Sequence, residues 1–382
     1  MKKKIVVFCS YVLVAALATA LTLTLTMGGG AGESKLDQLE NLILTRFIGG
    51  AEAEALEDAA AEAMVGATGD RWSYYIPASA YETYQEQMMN AYVGVGITIQ
   101  AQEDDSGFLI MAVTAGGPAE EAGLQIDDLL IMVEDQDVRG MSTEDVRGLV
   151  RGEEGTSVSM TVLRKGDAVT MPIERRKVET PVATGRMLEG KVGLVTIENF
   201  DERCAEETIA AIEALRKDGA RKLIFDVRNN PGGYASELVK VLDYLLPEGE
   251  VFHTVDYNGK EVIDRSDESC LEMPMAVLVN GSSYSAAEFF AAALQEYEAA
   301  VIVGEQTVGK GYFQTTIRLE DGSAVALSVG KYFTPKGENL AGVGVTPDKT
   351  VTVDEETASA IYYDTLAPEE DPQVKAAVEA LK

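Results

Sequence analysis

The sequence predicts a multidomain α/β protein, and three observations carry that prediction. Between residues 168 and 353, strand-length apolar runs alternate with amphipathic helical runs, the pattern of a partly parallel sheet covered by helices. Between 91 and 167 the signals shift to short strands with two brief helices. A helical segment and a long uncharged run stand in front of both. The 382 residues leave room for two or three domains. Composition then removes several functions. A formal charge of −31 argues against binding nucleic acid or a wide anionic membrane surface. A Ser-His-Asp arrangement would need the single histidine, His253. A zinc site would need it together with carboxylates and at most two usable cysteines.

Met1-Lys2-Lys3-Lys4 is a basic tip, and 5–27 is a stretch of 23 residues without charge. A helix rising about 1.5 Å per residue lets that stretch span a hydrocarbon core about 30 Å thick. Lysines in front and acidic sequence behind put the tip in the cytoplasm, giving a single-pass anchor in the cell membrane with the remaining chain extracytoplasmic. A cleaved signal peptide is the rival reading, with Ala16-Leu17-Ala18 and Ala18-Thr19-Ala20 as small-residue sites, although the run is longer than a usual signal core. Cys9 falls inside this run. Glycine-rich 28–33 is a flexible linker.

Residues 34–90 read as helical. Leu36, Leu39, Ile43 and Phe47 recur at helical spacing, and Gly49-Gly50 stops that helix. An Ala/Glu-rich helix is expected over 52–65 and a third over 78–90. Such a region could pair two copies, so a homodimer is an expectation.

Residues 91–167 open on the glycine loop Gly94-Val95-Gly96-Ile97, which on its own is as well explained by a hairpin. Gly117-Pro118-Ala119-Glu120-Glu121-Ala122-Gly123-Leu124 gives a short helix started by proline and ended by glycine. Asp127-Asp128 turns into an apolar strand, and Ser142-x-x-Asp145 caps a helix carrying Val146, Leu149 and Val150. In this order the block resembles a PDZ domain. The resemblance implies capture of a peptide C-terminus by strand addition, with the carboxylate on the amides of Gly94, Val95, Gly96 and Ile97, and with Val146 and Val150 facing the apolar side-chain pocket.

In 168–353, Lys222-Leu223-Ile224-Phe225-Asp226-Val227 is a strand of the buried type, followed by Arg228-Asn229-Asn230-Pro231-Gly232-Gly233. A loop at the C-terminal end of such a strand is where open α/β sheets place ligands, although a tight turn also explains two glycines. Ala276-Val277-Leu278-Val279-Asn280 is a second buried strand. Gly281-Ser282-Ser283-Tyr284-Ser285 turns it directly into the helical run Ala286-Ala287-Glu288-Phe289-Phe290. A hydroxyl on a sharp strand-to-helix turn lies beside free helix N–H groups, which suits a nucleophile. The same Ser285-x-x-Glu288 spacing is also a plain capping box. Lys310 stands between Gly309 and Gly311, where a solvated loop lysine is the bland alternative. A lysine can act as a base when burial leaves it neutral.

These stretches resemble the carboxy-terminal processing peptidases, serine proteases with a Ser-Lys dyad, an inserted PDZ domain and a crotonase-like α/β core. The matching runs are Val279-Asn280-Gly281-Ser282-Ser283-Tyr284-Ser285-Ala286-Ala287-Glu288, then Val303-Gly304-Glu305-Gln306-Thr307-Val308-Gly309-Lys310-Gly311-x-x-Gln314, and Asp226-x-Arg228-Asn229-Asn230-Pro231-Gly232-Gly233. The resemblance implies Ser285 as nucleophile, Lys310 as general base and Gln314 as its orienting partner. It implies oxyanion donors on Gly232, with Gly233 as fallback, and on Ala286. It also implies Arg151, at the end of the PDZ helix, as a regulatory residue, no cofactor, and protein or peptide substrates with free apolar C-termini. Tyr284, Ala287 and Val308 depart from the family's usual residues, and Tyr284 could narrow the site. A membrane-tethered PDZ adaptor with an inactive core is the alternative from another class. Tyr332-Phe333-Thr334-Pro335 and Gly342-Val343-Gly344-Val345-Thr346-Pro347 match the family's C-terminal core pattern, and 354–382 is an acidic tail ending in a helix. The pairing of Cys204 with Cys270 stays open.

Overall fold

The computed structural model describes residues 34–88, 91–102, 104–114 and 116–382. The chain divides into two compact units, one ending at Tyr75 and one running from Ile76 to Lys382. The expected anchor, Cys9 and the glycine linker lie outside the described residues. Among the described residues no helix is long and apolar enough to cross a membrane.

The first unit holds α1 (Lys35–Arg46) and α2 (Ala53–Gly66). Ser34 Oγ accepts from Asp37 N–H at 3.1 Å and Asp37 returns the bond to Ser34 N–H at 2.9 Å, a reciprocal cap that fixes the start of α1. Leu36, Leu39 and Phe47 of the predicted stripe are exposed. The short strand β1 (Tyr74–Ile76) crosses the boundary between the units.

The second unit begins with α3 (Ala78–Met88) and then builds the small domain that resembles a PDZ domain. Its main sheet runs β3 (Ile97–Ala101), β4 (Phe108–Val113), β5 (Leu129–Val133), β7 (Ser157–Arg164), β8 (Asp167–Glu174), with β6 (Gln136–Asp137) on β5. The helices are α4 (Pro118–Glu121) and α5 (Thr143–Val150). Phe108, Ile110, Leu130, Val146, Met160 and Ile173 share one core. The C-terminal boundary of this domain lies beyond residue 167. β8 pairs antiparallel with β7 along its whole length, so residues to Glu174 belong to this sheet. β9 (Arg176–Glu179) then pairs with β2 (Ala91–Gly94), joining the strand that enters the domain to the strand that leaves it.

The α/β core is built on a six-stranded sheet in the order β10 (Ala183–Leu188), β11 (Val192–Ile197), β12 (Lys222–Asp226), β15 (Met275–Val279), β16 (Ala300–Gly304), β19 (Lys349–Thr350). All neighbours are parallel except β10 and β11. Side chains alternate between two apolar layers, as the two-residue period of a strand requires. Leu223, Phe225, Val277 and Val279 face α6 (Cys204–Lys217), α7 (Ala235–Leu245) and α8 (Ala286–Glu296). Ile224, Ala276 and Leu278 face the C-terminal helix α10 (Pro372–Ala380), which follows α9 (Glu355–Tyr362). A second, antiparallel sheet contains β17 (Tyr312–Arg318), β18 (Ala324–Phe333), β13 (Gly249–Asp256) and β14 (Glu261–Ser266) in that order. His253 lies in β13, its ring 5.1 Å from that of Phe333. Cys204 is buried and Cys270 exposed, both as free thiols, so they do not pair. Burial pushes the Cys204 thiol up to about 12.

Candidate active site

Every residue of β15 is buried, and the strand stops at Asn280, whose side chain organises the turn that follows. Asn280 Oδ1 accepts from Ser282 N–H and from Asn229 N–H, both at 3.0 Å, and its amide donates to Asn229 Oδ1 at 2.9 Å. Ser283, fully buried, donates from Oγ to Val227 O at 2.7 Å. Asn230 O accepts from Tyr284 N–H at 3.1 Å. The 281–285 turn and the 228–233 loop are thus stitched together by side chains and backbone.

Ser285 emerges from this turn at φ 59° and ψ −126°, a conformation that costs a non-glycine residue energy. It caps α8 and is 5% exposed. A serine on a strained strand-to-helix turn presents its hydroxyl at the sheet's C-terminal edge. Ala286 follows as the first helical residue, where backbone N–H groups have no intrahelical acceptor.

Glu288 is fully buried one turn into α8, and its carboxylate collects four donors. Oε2 accepts from Ser285 N–H at 3.0 Å and Lys310 N–H at 2.8 Å. Oε1 accepts from Thr307 Oγ1 at 2.5 Å and Gly309 N–H at 2.7 Å. Burial pushes its pKa up, and these four hydrogen bonds work in the other direction. In the sequence Glu288 is legible as a cap of the helix. The signal for more was available: it is the one carboxylate in a run of alanine, phenylalanine and leucine, and a buried charge must find partners.

Lys310 is half-buried, its Nζ 5.7 Å from the centre of the Tyr284 ring. Burial raises the Tyr284 hydroxyl pKa, as expected for a phenol covered beside the site. Gly309 has φ +81°, and a Cβ there would come within 2.9–3.0 Å of the backbone nitrogens of Gly342, Val343 and Gly344. Thr307 Oγ1 also accepts from Val345 N–H at 2.7 Å. The second glycine motif therefore packs under the lysine loop. Gln314 sits at a bulge between β17 and β18, a device that re-aims a side chain. Its amide nitrogen donates to Ser328 Oγ at 2.9 Å and Tyr312 O at 3.2 Å.

Gly232 and Ala286 are brought together. A Cβ on Gly232 would lie 2.7 Å from Ser285 Cβ and 2.9 Å from Ala286 N. Only glycine allows that approach, and φ +91° demands it as well. The Gly232 N–H itself donates to Asn230 Oδ1 at 2.8 Å, so the loop's donor is committed internally here.

In the PDZ domain, β3 is the edge of its sheet, where a peptide strand can add. Gly96, at φ +78°, accepts from Thr114 N–H at 2.9 Å, and Val95 O accepts from Ala119 N–H at 2.9 Å. Val95 is buried, Gly94 ends β2 and Ile97 opens β3. Val146 has no exposed surface and Val150 is 7% exposed, so both pack into the domain core in this conformation. Arg151 pairs with Glu86 of α3 at 2.8 Å, with its guanidinium 5.3 Å from the Tyr92 ring centre.

The family model for peptidase family S41 matches residues 191–351, and a PDZ domain model matches 109–164. The carboxy-terminal processing protease CtpA of Bacillus subtilis strain 168 is 32% identical over 361 residues, covering 91% of this chain and 77% of that protein. The chain belongs to peptidase family S41. A "Probable CtpA-like serine protease" of Staphylococcus aureus strain N315 is 31% identical over 326 residues, 84% of this chain and 65% of that protein. A crystal structure assigned to an S41 protease of Bacteroides fragilis NCTC 9343 shares the fold, with a TM-score of 0.53 at 16% identity over 84% of this chain and 89% of the other. Membership makes this S41 chain a serine-type endopeptidase of the C-terminal processing kind, carrying a PDZ domain.

Proposed function

We propose that this S41 peptidase cleaves protein substrates near a free C-terminus with a Ser285–Lys310 dyad. The observation that carries the reading is the Glu288 carboxylate, which holds the amides of Ser285 and Lys310 on one oxygen. Neutral Lys310 Nζ takes the proton of Ser285 Oγ as that oxygen attacks the peptide carbonyl carbon. The Gln314 carbonyl oxygen orients the lysine amine. The oxyanion is met by Ala286 N–H and by the 232–233 loop, from Gly232 once its N–H leaves Asn230 or from its neighbour Gly233. The tetrahedral species collapses, the leaving amine takes the proton from the Lys310 ammonium, and water then hydrolyses the acyl-enzyme.

The PDZ domain delivers the substrate. Its tail adds to the edge of β3, the terminal carboxylate meets the loop from Gly94 to Ile97, and an apolar last side chain opens a pocket beside Val146 and Val150. Arg151 reports occupancy of that groove. The uncharged 5–27 segment tethers the enzyme with its catalytic core outside the cytoplasm. The test is an unfolded reporter ending in Val-Ala-Ala incubated with the chain. Cleavage by the parent and by neither Ser285→Ala nor Lys310→Ala supports the dyad. Cleavage surviving in Ser285→Ala rejects it.

A further inference from the structure

Arg228 begins the 228–233 loop and is nearly sealed from solvent, its side chain 6% exposed. Two elements grip it. Asp226, at the end of β12, takes Nε at 2.9 Å and Nη2 at 2.5 Å. Asp371 and Gln373, at the start of the C-terminal helix α10, take Nη1 at 2.7 Å and 2.9 Å. Asp371 works on both sides. Its Oδ1 caps α10 by accepting from Gln373 N–H and Val374 N–H, while its Oδ2 holds the guanidinium. Gln373 passes its own amide on to Val351 O at 2.7 Å. Burial works against the charge on Arg228, and the two aspartates more than offset it, keeping the guanidinium firmly protonated.

The next residues of the loop lead straight to the nucleophile. Asn229, at φ +60°, bonds Asn280, and Asn230, wholly buried, bonds Tyr284 N–H and Gly232 N–H. One flank of the loop is therefore fixed by the turn that carries Ser285. The other flank is fixed by a helix more than 130 residues further along the chain, on the opposite face of the sheet.

We propose that α10 is a positioning element for the reaction, in which Asp371 acts through Arg228 to hold the 228–233 loop against Ser285. The proposal rests on the reading that this loop supplies an oxyanion donor. Asp371 touches no reacting atom; its effect is on where the loop's N–H groups point when the carbonyl oxygen becomes negative.

The experiment compares Asp371→Asn and Asp371→Ser with Val374→Ala in the full chain. Asn and Ser both still cap a helix, so α10 keeps its start while Arg228 loses its charged partner. Val374→Ala loosens the same helix under the sheet without touching Arg228. The expected result is a tenfold or larger fall in kcat for both Asp371 variants, with KM within twofold. A peptide boronate, whose tetrahedral adduct needs the same donors, weakens in proportion. Val374→Ala lowers Tm but keeps kcat within twofold. Asp371→Glu, which restores the charge, recovers part of kcat. Unchanged kcat in the Asp371 variants overturns the proposal, as does a fall matched by Val374→Ala at equal loss of Tm. Should Asp371→Asn fail to fold, Asp371→Ser and Asp371→Glu give the same comparison. Failure of the dyad reading is distinguishable, because there Ser285→Ala itself stays active.

Discussion

The backbone N–H groups of Ser285 and Lys310 share one acceptor, Oε2 of Glu288, at 3.0 and 2.8 Å. Two residues separated by a helix and a strand are thereby held to a common point that solvent cannot reach. The origins of both side chains are fixed by it. Pre-positioning of this kind lowers a barrier by removing motions that would otherwise be frozen in the transition state.

Replacing Glu288 by alanine strands four donors in a dry site. An unsatisfied buried donor costs about 1–3 kcal/mol, so a loss of roughly 3–5 kcal/mol is expected after partial relaxation. Glu288→Gln keeps the shape but turns an N–H₂ toward donors, and it should lose activity more than stability. Calorimetry for Tm and peptide turnover for kcat separate the two. Wild-type kcat in Glu288→Gln would remove the carboxylate from the account.

Gly232→Ala should damage turnover more than its single added methyl suggests. The added Cβ meets Ser285 Cβ at 2.7 Å and Ala286 N at 2.9 Å, at a φ of +91°. Backbone strain there costs about 1–3 kcal/mol. Displacing an oxyanion donor typically costs about 10²–10³ in kcat. Steady-state kinetics on a folded variant should show the loss in kcat, with tail binding to the PDZ domain unchanged.

Lys310→Arg tests whether the lysine is a base or only a positive charge. Arginine keeps the charge and cannot be deprotonated in a protein. If Lys310 takes the Ser285 proton, kcat falls roughly 10³-fold, within the range of general base catalysis. If the group merely stabilises charge, Lys310→Arg keeps substantial turnover while Lys310→Ala does not.

Much of this site is legible in the chain because its parts are local. A buried strand, five small or polar residues and a helical run announce the turn at Ser285, and glycines on either side announce close packing at Lys310. What sequence alone could not reveal is long-range pairing. Glu288 looks like a cap because the amides of Gly309 and Lys310 return to it only in three dimensions. β8 has the same apolar alternation as a core strand, and only its partner β7 assigns it to the PDZ sheet. Val146 and Val150 lie on the helix face that the period predicts, yet burial shows that face closed against the core. Arg228 reads as part of a loop motif, and nothing in its neighbourhood names Asp371 as its partner.

The PDZ domain should carry its own acid sensitivity through Asp128. This carboxylate, its side chain 2% exposed, holds Arg164 at 2.6 Å and accepts from Gln125 N–H at 2.9 Å. Burial alone would raise its pKa; the Arg164 hydrogen bond and the Gln125 amide outweigh that and bring it below the ordinary 3.8. A carboxylate with a depressed folded pKa stabilises the fold above its unfolded value, and that contribution disappears as pH falls through the folded value. Asp128→Asn should therefore cost about 1–3 kcal/mol at neutral pH, the worth of charge-assisted bonds lost from a buried site. The gap between parent and variant should close as pH drops below 3.8, because protonation removes the same charge from the parent. Urea unfolding of both proteins across pH 2.5 to 7 reads that convergence directly. A gap that stays constant with pH would mean that the aspartate acts through packing and not through its charge.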